Sequence, residues 1–429
     1  MVSRLDVFLT TSLYPGLSCA DIVKKIGKNQ TSYNAIYNLL QELKTEGLAI
    51  EEKRRFSASK TKKAHTLLNL VYFCFKNGID YNKIVSDKTA EFVKTGLEKG
   101  QINGLPFDAK TVRRIIGPLS KNGFAIVESK KPFSCKIVPS QFTQLLAEYF
   151  FGETRVKCPS LPDCLNEKLV NGKLEKQFSP YKRLEKEKFH FDETGFIYIS
   201  LSLEGNTLTL SETEKMIKQN IAPASKPFKD AQQVLDYKKA IDGFIFSNNA
   251  ITEESILEFH RTAMNSLAVG AGSFRTQNVR IKGNPDFKTA DRKDVPELLR
   301  DFFKKADIQE TFGKSFIKKK VAMHKLYMPQ EKKKVSAAEI VEQAAFLHNE
   351  FQRIHPFIDG NSRTARAIFL KALTQKNFPL IKIPVGFSDQ YMKLTKLSEK
   401  RDDKKFALLM KQIALENLKQ LTKKIEYES

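Results

Sequence analysis

Apolar residues along the chain recur three and four positions apart far more often than they alternate, which predicts a mainly α protein with a few short strands. Near the start, Ser18 opens a short helix carrying Ile22 and Ile26, and Gly27 ends it. Thr31 or Ser32 opens a longer helix with Ile36, Leu39, Leu40 and Leu43 inward, which stops at Gly47. Leu48, Ala49 and Ile50 then begin a strand, and Lys53, Arg54 and Arg55 make a basic turn before Phe56. The same order returns later. Thr111 leads into Val112, Ile115, Ile116 and Leu119, Gly123 ends that helix, and two strands follow with Lys130, Lys131 and Pro132 between them. Residues 43–50, Leu-Lys-Thr-Glu-Gly-Leu-Ala-Ile, and 119–126, Leu-Ser-Lys-Asn-Gly-Phe-Ala-Ile, mark this as an internal repeat. Pro159, Pro162, Gly172 and Pro180, set among charges without clear periodicity, predict a linker with some local helix. From Phe191 the helical pattern resumes to the end, broken where Val279 and Ile281 alternate before Gly283-Asn284, a hairpin-turn dipeptide. The expected domains are therefore 1–62, 63–152, a linker at 153–185, and 186–429.

Each of the first two segments resembles a winged helix, a small α+β domain whose second helix enters the DNA major groove while its wing touches phosphates. That resemblance implies double-stranded DNA as a partner, with Lys53, Arg54, Arg55, Lys130 and Lys131 as backbone contacts; the competing reading is a protein-docking or dimerising domain. Charge changes the picture only modestly. The chain carries a net +23, which suits a polyanion, but residues 1–150 hold 23 Lys or Arg against 13 Asp or Glu, so the excess is not confined there. The runs Lys318–Lys320 and Lys332–Lys334, around His324 and Tyr327, read as solvated loop. Five cysteines without CxxC spacing argue against a disulfide framework or a zinc site. No apolar run nears the roughly 20 residues that span a bilayer, and no signal-peptide pattern is seen, so a cytoplasmic protein without a membrane partner is expected.

The richest chemistry lies at residues 355–366, His-Pro-Phe-Ile-Asp-Gly-Asn-Ser-Arg-Thr-Ala-Arg. Ser336 and Glu339 form a capping box, and Ile340, Ala344, Leu347, Phe351 and Ile354 make one buried stripe, so His355 arrives where a core helix ends. Pro356 forces a turn, Gly360-Asn361 tolerate positive φ, and a second helix starts near Ser362. Arg363 and Arg366 then share one side of a helix N-terminus, which suits a polyanion. Asp359 is the carboxylate among them, and one carboxylate beside phosphates suits Mg²⁺. His355 is left as the base.

Together these residues resemble the signature of the Fic family, His-x-Phe-x-(Asp/Glu)-Gly-Asn-x-Arg-x-x-Arg. The resemblance implies an all-α Fic core with a β-hairpin flap, and transfer of AMP from Mg²⁺-ATP to a Ser, Thr or Tyr hydroxyl of a protein, the chain itself included. It makes His355 the base, Asp359 the metal ligand, Gly360, Asn361 and Arg363 the phosphate cradle, Arg366 the contact for the terminal phosphate and Phe357 a core anchor. Ser362 stands where most active members have Gly. A Cβ there could crowd the phosphates, whereas the hydroxyl could add a donor. The flap falls on Arg280, Ile281, Lys282, Gly283 and Asn284, and Tyr391 stands where the family often has a tyrosine against the nucleotide base. Ser200-Leu-Ser-Leu-Glu204-Gly205 fits the family's inhibitory pattern, (Ser/Thr)-x-x-x-Glu-(Gly/Asn), and Thr209 with Glu212 is spaced as a following capping box. Glu204 is then the expected partner of Arg366. His348 reads as structural, while His190, His260 and His324 have no partner legible in the sequence. Rival readings are a nucleotide-sensing DNA-binding regulator with little turnover, or removal of AMP or transfer of another phosphate-linked group on the same core. A homodimer is compatible with all of them.

Overall fold

Most helices of the amino-terminal part start where a short polar side chain takes up an orphan backbone N–H. Ser3 caps α1 (Arg4–Leu13); after β1 (Leu17–Ser18), Ser18 caps α2 (Cys19–Lys25); α3 (Tyr33–Thr45) follows, then β2 (Ala49–Glu52) and β3 (Arg55–Ala58). Thr61 caps α4 (Lys62–Lys76), Asp80 the short α5 (Tyr81–Ile84), and Ser86 α6 (Asp87–Lys99). Beyond β4 (Ile102–Asn103), Asp108 caps α7 (Ala109–Lys121), and β5 (Ala125–Lys130), β6 (Phe133–Ile137) and α8 (Gln141–Phe151) complete this part. The computed structural model describes residues 2–27, 30–152, 160–183, 192–247, 249–267, 270–281, 288–311, 335–395 and 401–428.

Two three-stranded antiparallel sheets, ordered β1-β3-β2 and β4-β6-β5, carry the sequence repeat into three dimensions. Phe8, Ile22, Ile36, Leu40, Leu43 and Phe56 fill the first core, while Phe124 stacks on Phe142 at 4.4 Å in the second. The copies differ in one respect. Helix α2 lies between β1 and α3 and packs on α3, but the helix backing α7 is α5, which precedes α6 in the chain. Lys53 and Arg54 take left-handed φ values of 50° and 62°, the conformation that turns β2 tightly into β3.

Contacts divide the chain into Met1–Pro159 and Ser160–Ser429. The second unit is helical among its described residues: α9 (Glu167–Phe178), α10 (Glu193–Ser202), α11 (Leu210–Gln219), α12 (Phe228–Ile245), α13 (Glu253–Ala263), α14 (Val295–Thr311), α15 (Ala337–Ile354), α16 (Asn361–Gln375), α17 (Ser388–Thr395) and α18 (Asp403–Glu428). Within the stretch expected as a linker, α9 buries Val170, Leu174 and Phe178 against α15 and α18. Lys411, buried on α18, ties these three helices by pairing with Glu167 of α9 at 3.1 Å and Glu342 of α15 at 2.6 Å. Helix α10 is buried from Gly195 to Leu201, as its nearly continuous apolar sequence requires.

The expected flap has no regular strand among its described residues. Its limbs are joined instead by side chain to backbone bonds: Thr289 Oγ1 donates to Val279 O at 3.0 Å, and Asn278 Oδ1 accepts from Arg292 N at 2.7 Å. Lys282, Gly283 and Asn284 lie outside the described residues, as do both Lys runs around His324 and Tyr327, and His190. No helix among the described residues is long and apolar enough to cross a membrane.

Candidate active site

Helix α15 opens on the Ser336–Glu339 capping box and closes on His355, whose φ of 51° and ψ of 56° are left-handed. That conformation is costly for a residue with a Cβ, so the surroundings must hold it. The turn beyond is held from inside: Asn361 Oδ1 accepts from Phe357 N, and its Nδ2 donates to Phe357 O, both at 2.9 Å. Gly360, at φ 82°, caps α16, and a Cβ there would come within 2.8 Å of Met264 Sδ and 3.0 Å of His260 Nε2. Helix α16 thus begins at Asn361, one residue before Ser362. Ser362 is absent from the positive-φ residues, so its Cβ meets no backbone conflict, and its Oγ accepts from Gln352 Nε2 at 3.1 Å.

Phe357 is fully buried, as expected of an anchor, and stacks on His260 at 3.6 Å between ring centres. His260 sits on α13 among Ile256, Phe259 and Ala263. Its Nδ1 accepts from Gly272 N at 2.9 Å, so Nε2 carries the proton it donates to Asp359 O at 2.9 Å. Burial pushes its pKa down to about 4, keeping this neutral tautomer at physiological pH.

His355 and the two arginines of the turn have contrasting electrostatics. His355 Nδ1 faces the carbonyl of Gln352 at 3.3 Å, which can only accept, so Nε2 is the unprotonated nitrogen. Burial first, with the charge of Arg275 adding to it, lowers its pKa to about 4. Arg363, 4% exposed, pairs through Nη2 with Asp359 Oδ1 at 3.1 Å. Arg366, 3% exposed, donates to Ser200 Oγ at 3.1 Å, Ser200 O at 2.9 Å and Glu204 Oε1 at 2.8 Å. Among the described residues, Arg363 Nε and Arg366 Nη1 are nonetheless buried donors without a hydrogen-bond partner. Orphaned guanidinium N–H groups are costly, and an anion would satisfy them.

The structure therefore brings His355, Asp359, Gly360, Asn361, Ser362, Arg363 and Arg366 onto one turn and sets Ser200 and Glu204 against it from the end of α10. Gly205, at φ 91°, follows Glu204 as the chain leaves the helix. Tyr391 is buried, its hydroxyl 2.8 Å from His348 Nε2, and it lies close to the Arg366 guanidinium. His348 is structural, as expected: it stacks on Phe406, and burial takes its pKa down to about 3. Arg280 is exposed and Ile281 is half-buried. No group of three or more His, Cys, Asp or Glu among the described residues could hold a metal ion alone; Asp359, with its side chain 60% exposed, is the carboxylate of the turn.

Residues 250–373 match the Fic/DOC family. The chain carries a Fic domain. Over 214 residues, 49% of its length, it is 27% identical to Protein adenylyltransferase Fic of Drosophila erecta and 28% identical to that of Drosophila grimshawi, covering 38% and 39% of those proteins. The chain thus spans about two fifths of the length of these curated relatives. Among solved structures, Fic-1 from C. elegans superposes with a TM-score of 0.50 at 20% identity, over 61% of this chain and 74% of that one, which shows a shared helical fold. The matched part of the Fic domain runs from just before α13 through most of α16 and so includes His260, Arg275 and the whole turn.

Proposed function

We propose that the Fic domain transfers AMP from ATP to a protein hydroxyl. The observation that carries this reading is the pair of buried donors without a partner among the described residues, Arg363 Nε and Arg366 Nη1, on the turn that presents a histidine with an unprotonated Nε2. A polyphosphate satisfies the arginines while the target hydroxyl meets the histidine. The hydroxyl oxygen bonds to the α-phosphorus, its proton passes to His355 Nε2, and the bond to the departing pyrophosphate breaks. Positioning and charge neutralisation supply most of the rate in such transfers. Mg²⁺ fits the donor set, because one exposed carboxylate, Asp359, beside a phosphate site is what this ion uses, and when bound it would neutralise phosphate charge. The names of the curated relatives support the same reading. In this account Glu204 restrains the domain, because it holds the guanidinium that the terminal phosphate needs.

Incubation of a cell extract with the protein and either α- or γ-labelled ATP tests this. Only nucleotidyl transfer leaves the α label on protein, so we expect α label and no γ label in protein bands, self-labelling included. Absence of both, with nucleotide binding intact, would favour a nucleotide-sensing regulator; retention of γ label would indicate a different phosphate-linked transfer.

For the amino-terminal unit we propose two winged helices that bind double-stranded DNA. Support comes from α7, whose outward face carries Lys110, Arg113, Arg114 and Lys121, all exposed, while Asp108 turns its carboxylate into the cap. Lys53, Arg54, Lys130 and Lys131 are exposed at the two hairpin turns, whereas Arg55 reaches back to Gly16 O at 2.8 Å and braces β1. Affinity for mixed duplex DNA should fall steeply with salt, and Arg113→Ala with Arg114→Ala should reduce the slope by about two units if each contacts one phosphate. An unchanged slope in gel-shift titrations would return this unit to a protein-docking role.

A further inference from the structure

Arg275 is 5% exposed, and the hydrogen-bond acceptors of its side chain are backbone carbonyls. Toward α15, its Nε donates to His355 O at 2.7 Å, its Nη2 to Ile354 O at 3.5 Å, and its own backbone N to Pro356 O at 2.8 Å. Three consecutive carbonyls at the end of α15 are thus met by one residue. These carbonyls are at the negative end of the helix, where a buried cation is stabilising. On its other side the guanidinium donates from Nη1 to Gln277 O at 2.9 Å and from Nη2 to Ala290 O at 2.5 Å. Gln277 and Ala290 stand on opposite limbs of the excursion that the Thr289 to Val279 bond also joins.

We infer that Arg275 is the positioning residue for His355, and that it ties presentation of the base to the two limbs 276–281 and 288–290. One planar, rigid group connects the two. The carbonyl it grips belongs to the left-handed residue itself, whose φ of 51° is a conformation that persists only when its surroundings impose it. Moving the limbs displaces the guanidinium, and the guanidinium displaces His355. Because the ATP-binding arginines are held separately, by Ser200, Glu204 and Asp359, the effect belongs to turnover and not to nucleotide affinity.

This inference rests on the base assignment above, and the experiment separates the two. In the full chain carrying Glu204→Gly, AMP transfer and binding of a fluorescent ATP analogue are measured for Arg275→Lys, Arg275→Gln and His355→Ala. Lysine keeps the charge at the end of α15 but cannot span both sets of carbonyls, and it is the variant expected to fold. Both Arg275 variants should lower kcat by about 100-fold, the scale of a 1 Å misplacement, with nucleotide affinity within about twofold and Arg275→Lys melting near the parent. Parental kcat in folded Arg275→Lys, with His355→Ala inactive, would overturn the inference and leave the base assignment standing. Parallel loss of binding and turnover, or failure of both variants to fold, would make Arg275 structural and also overturn it. Full transfer by His355→Ala would overturn the base assignment itself.

Discussion

Glu204→Gly should raise the rate of AMP transfer by about 30- to 100-fold. The carboxylate sits 2.8 Å from Arg366 Nη2, with the arginine 3% and the glutamate 26% exposed at the side chain. Breaking such a pair costs about 3–5 kcal/mol when it is fully buried; discounting for the partly solvated glutamate leaves about 2–3 kcal/mol, which matches the expected factor. The variant should also be less stable without ligand, since Arg366 then has a second unpaired donor, and nucleotide should stabilise it more than it stabilises wild type. Adding Arg366→Ala should cancel the gain in rate, because the guanidinium that gives glutamate its effect is the one that terminal phosphate requires. Label incorporation from α-labelled ATP and melting with and without nucleotide check both statements. Equal rates for wild type and Glu204→Gly, in a protein that needs His355, would reduce this glutamate to a helix end.

The gathering of these residues on one turn was legible because it is local. Histidine, carboxylate, glycine, asparagine and two arginines fall within twelve residues, and a buried stripe on α15 places them at a helix end. The pairing of Glu204 with Arg366 was also legible, although 162 positions separate them, because a short pattern marks the glutamate and an arginine needs a counter-charge. His260 and Arg275 were not legible. Their acceptors are backbone carbonyls of Asp359, Ile354 and His355, which leave no mark in side-chain identity. The one available signal for His260 was its position on the apolar stripe of Ile256, Phe259 and Ala263, where a polar residue must find a partner. Nor does the type of Asn361 reveal that both ends of its amide close the turn on Phe357. Helix α9 was hidden by prolines and charges around a stripe of three residues spaced four apart, Val170, Leu174 and Phe178, which only packing against α15 and α18 reveals. At the flap, the alternation of Val279 and Ile281 suggested strands, yet Asn278, Thr289 and Arg292 supply side-chain bonds where a ladder was expected.

His355→Ala should lower AMP transfer by about 10³-fold or more while ATP affinity stays within about twofold. A positioned base contributes on the order of 10²–10⁴ in rate, whereas the arginines proposed to hold the phosphates, Arg363 and Arg366, are not touched by the substitution. The parent should also show a distinctive pH dependence. A histidine pKa pushed down to about 4 leaves the ring neutral, and able to take a proton, through the physiological range. Protonation of His355 should therefore bring no fall in single-turnover rate between about pH 8 and 5.5, in contrast to an ordinary histidine base, which loses its lone pair near 6.5. Below that window the rate should drop as the ring takes up its proton. Rates measured with α-labelled ATP at saturating nucleotide, over conditions in which the protein stays folded, decide the matter. A midpoint near 6.5 in the parent would mean that bound nucleotide restores an ordinary histidine, and transfer surviving in His355→Ala would move the base elsewhere.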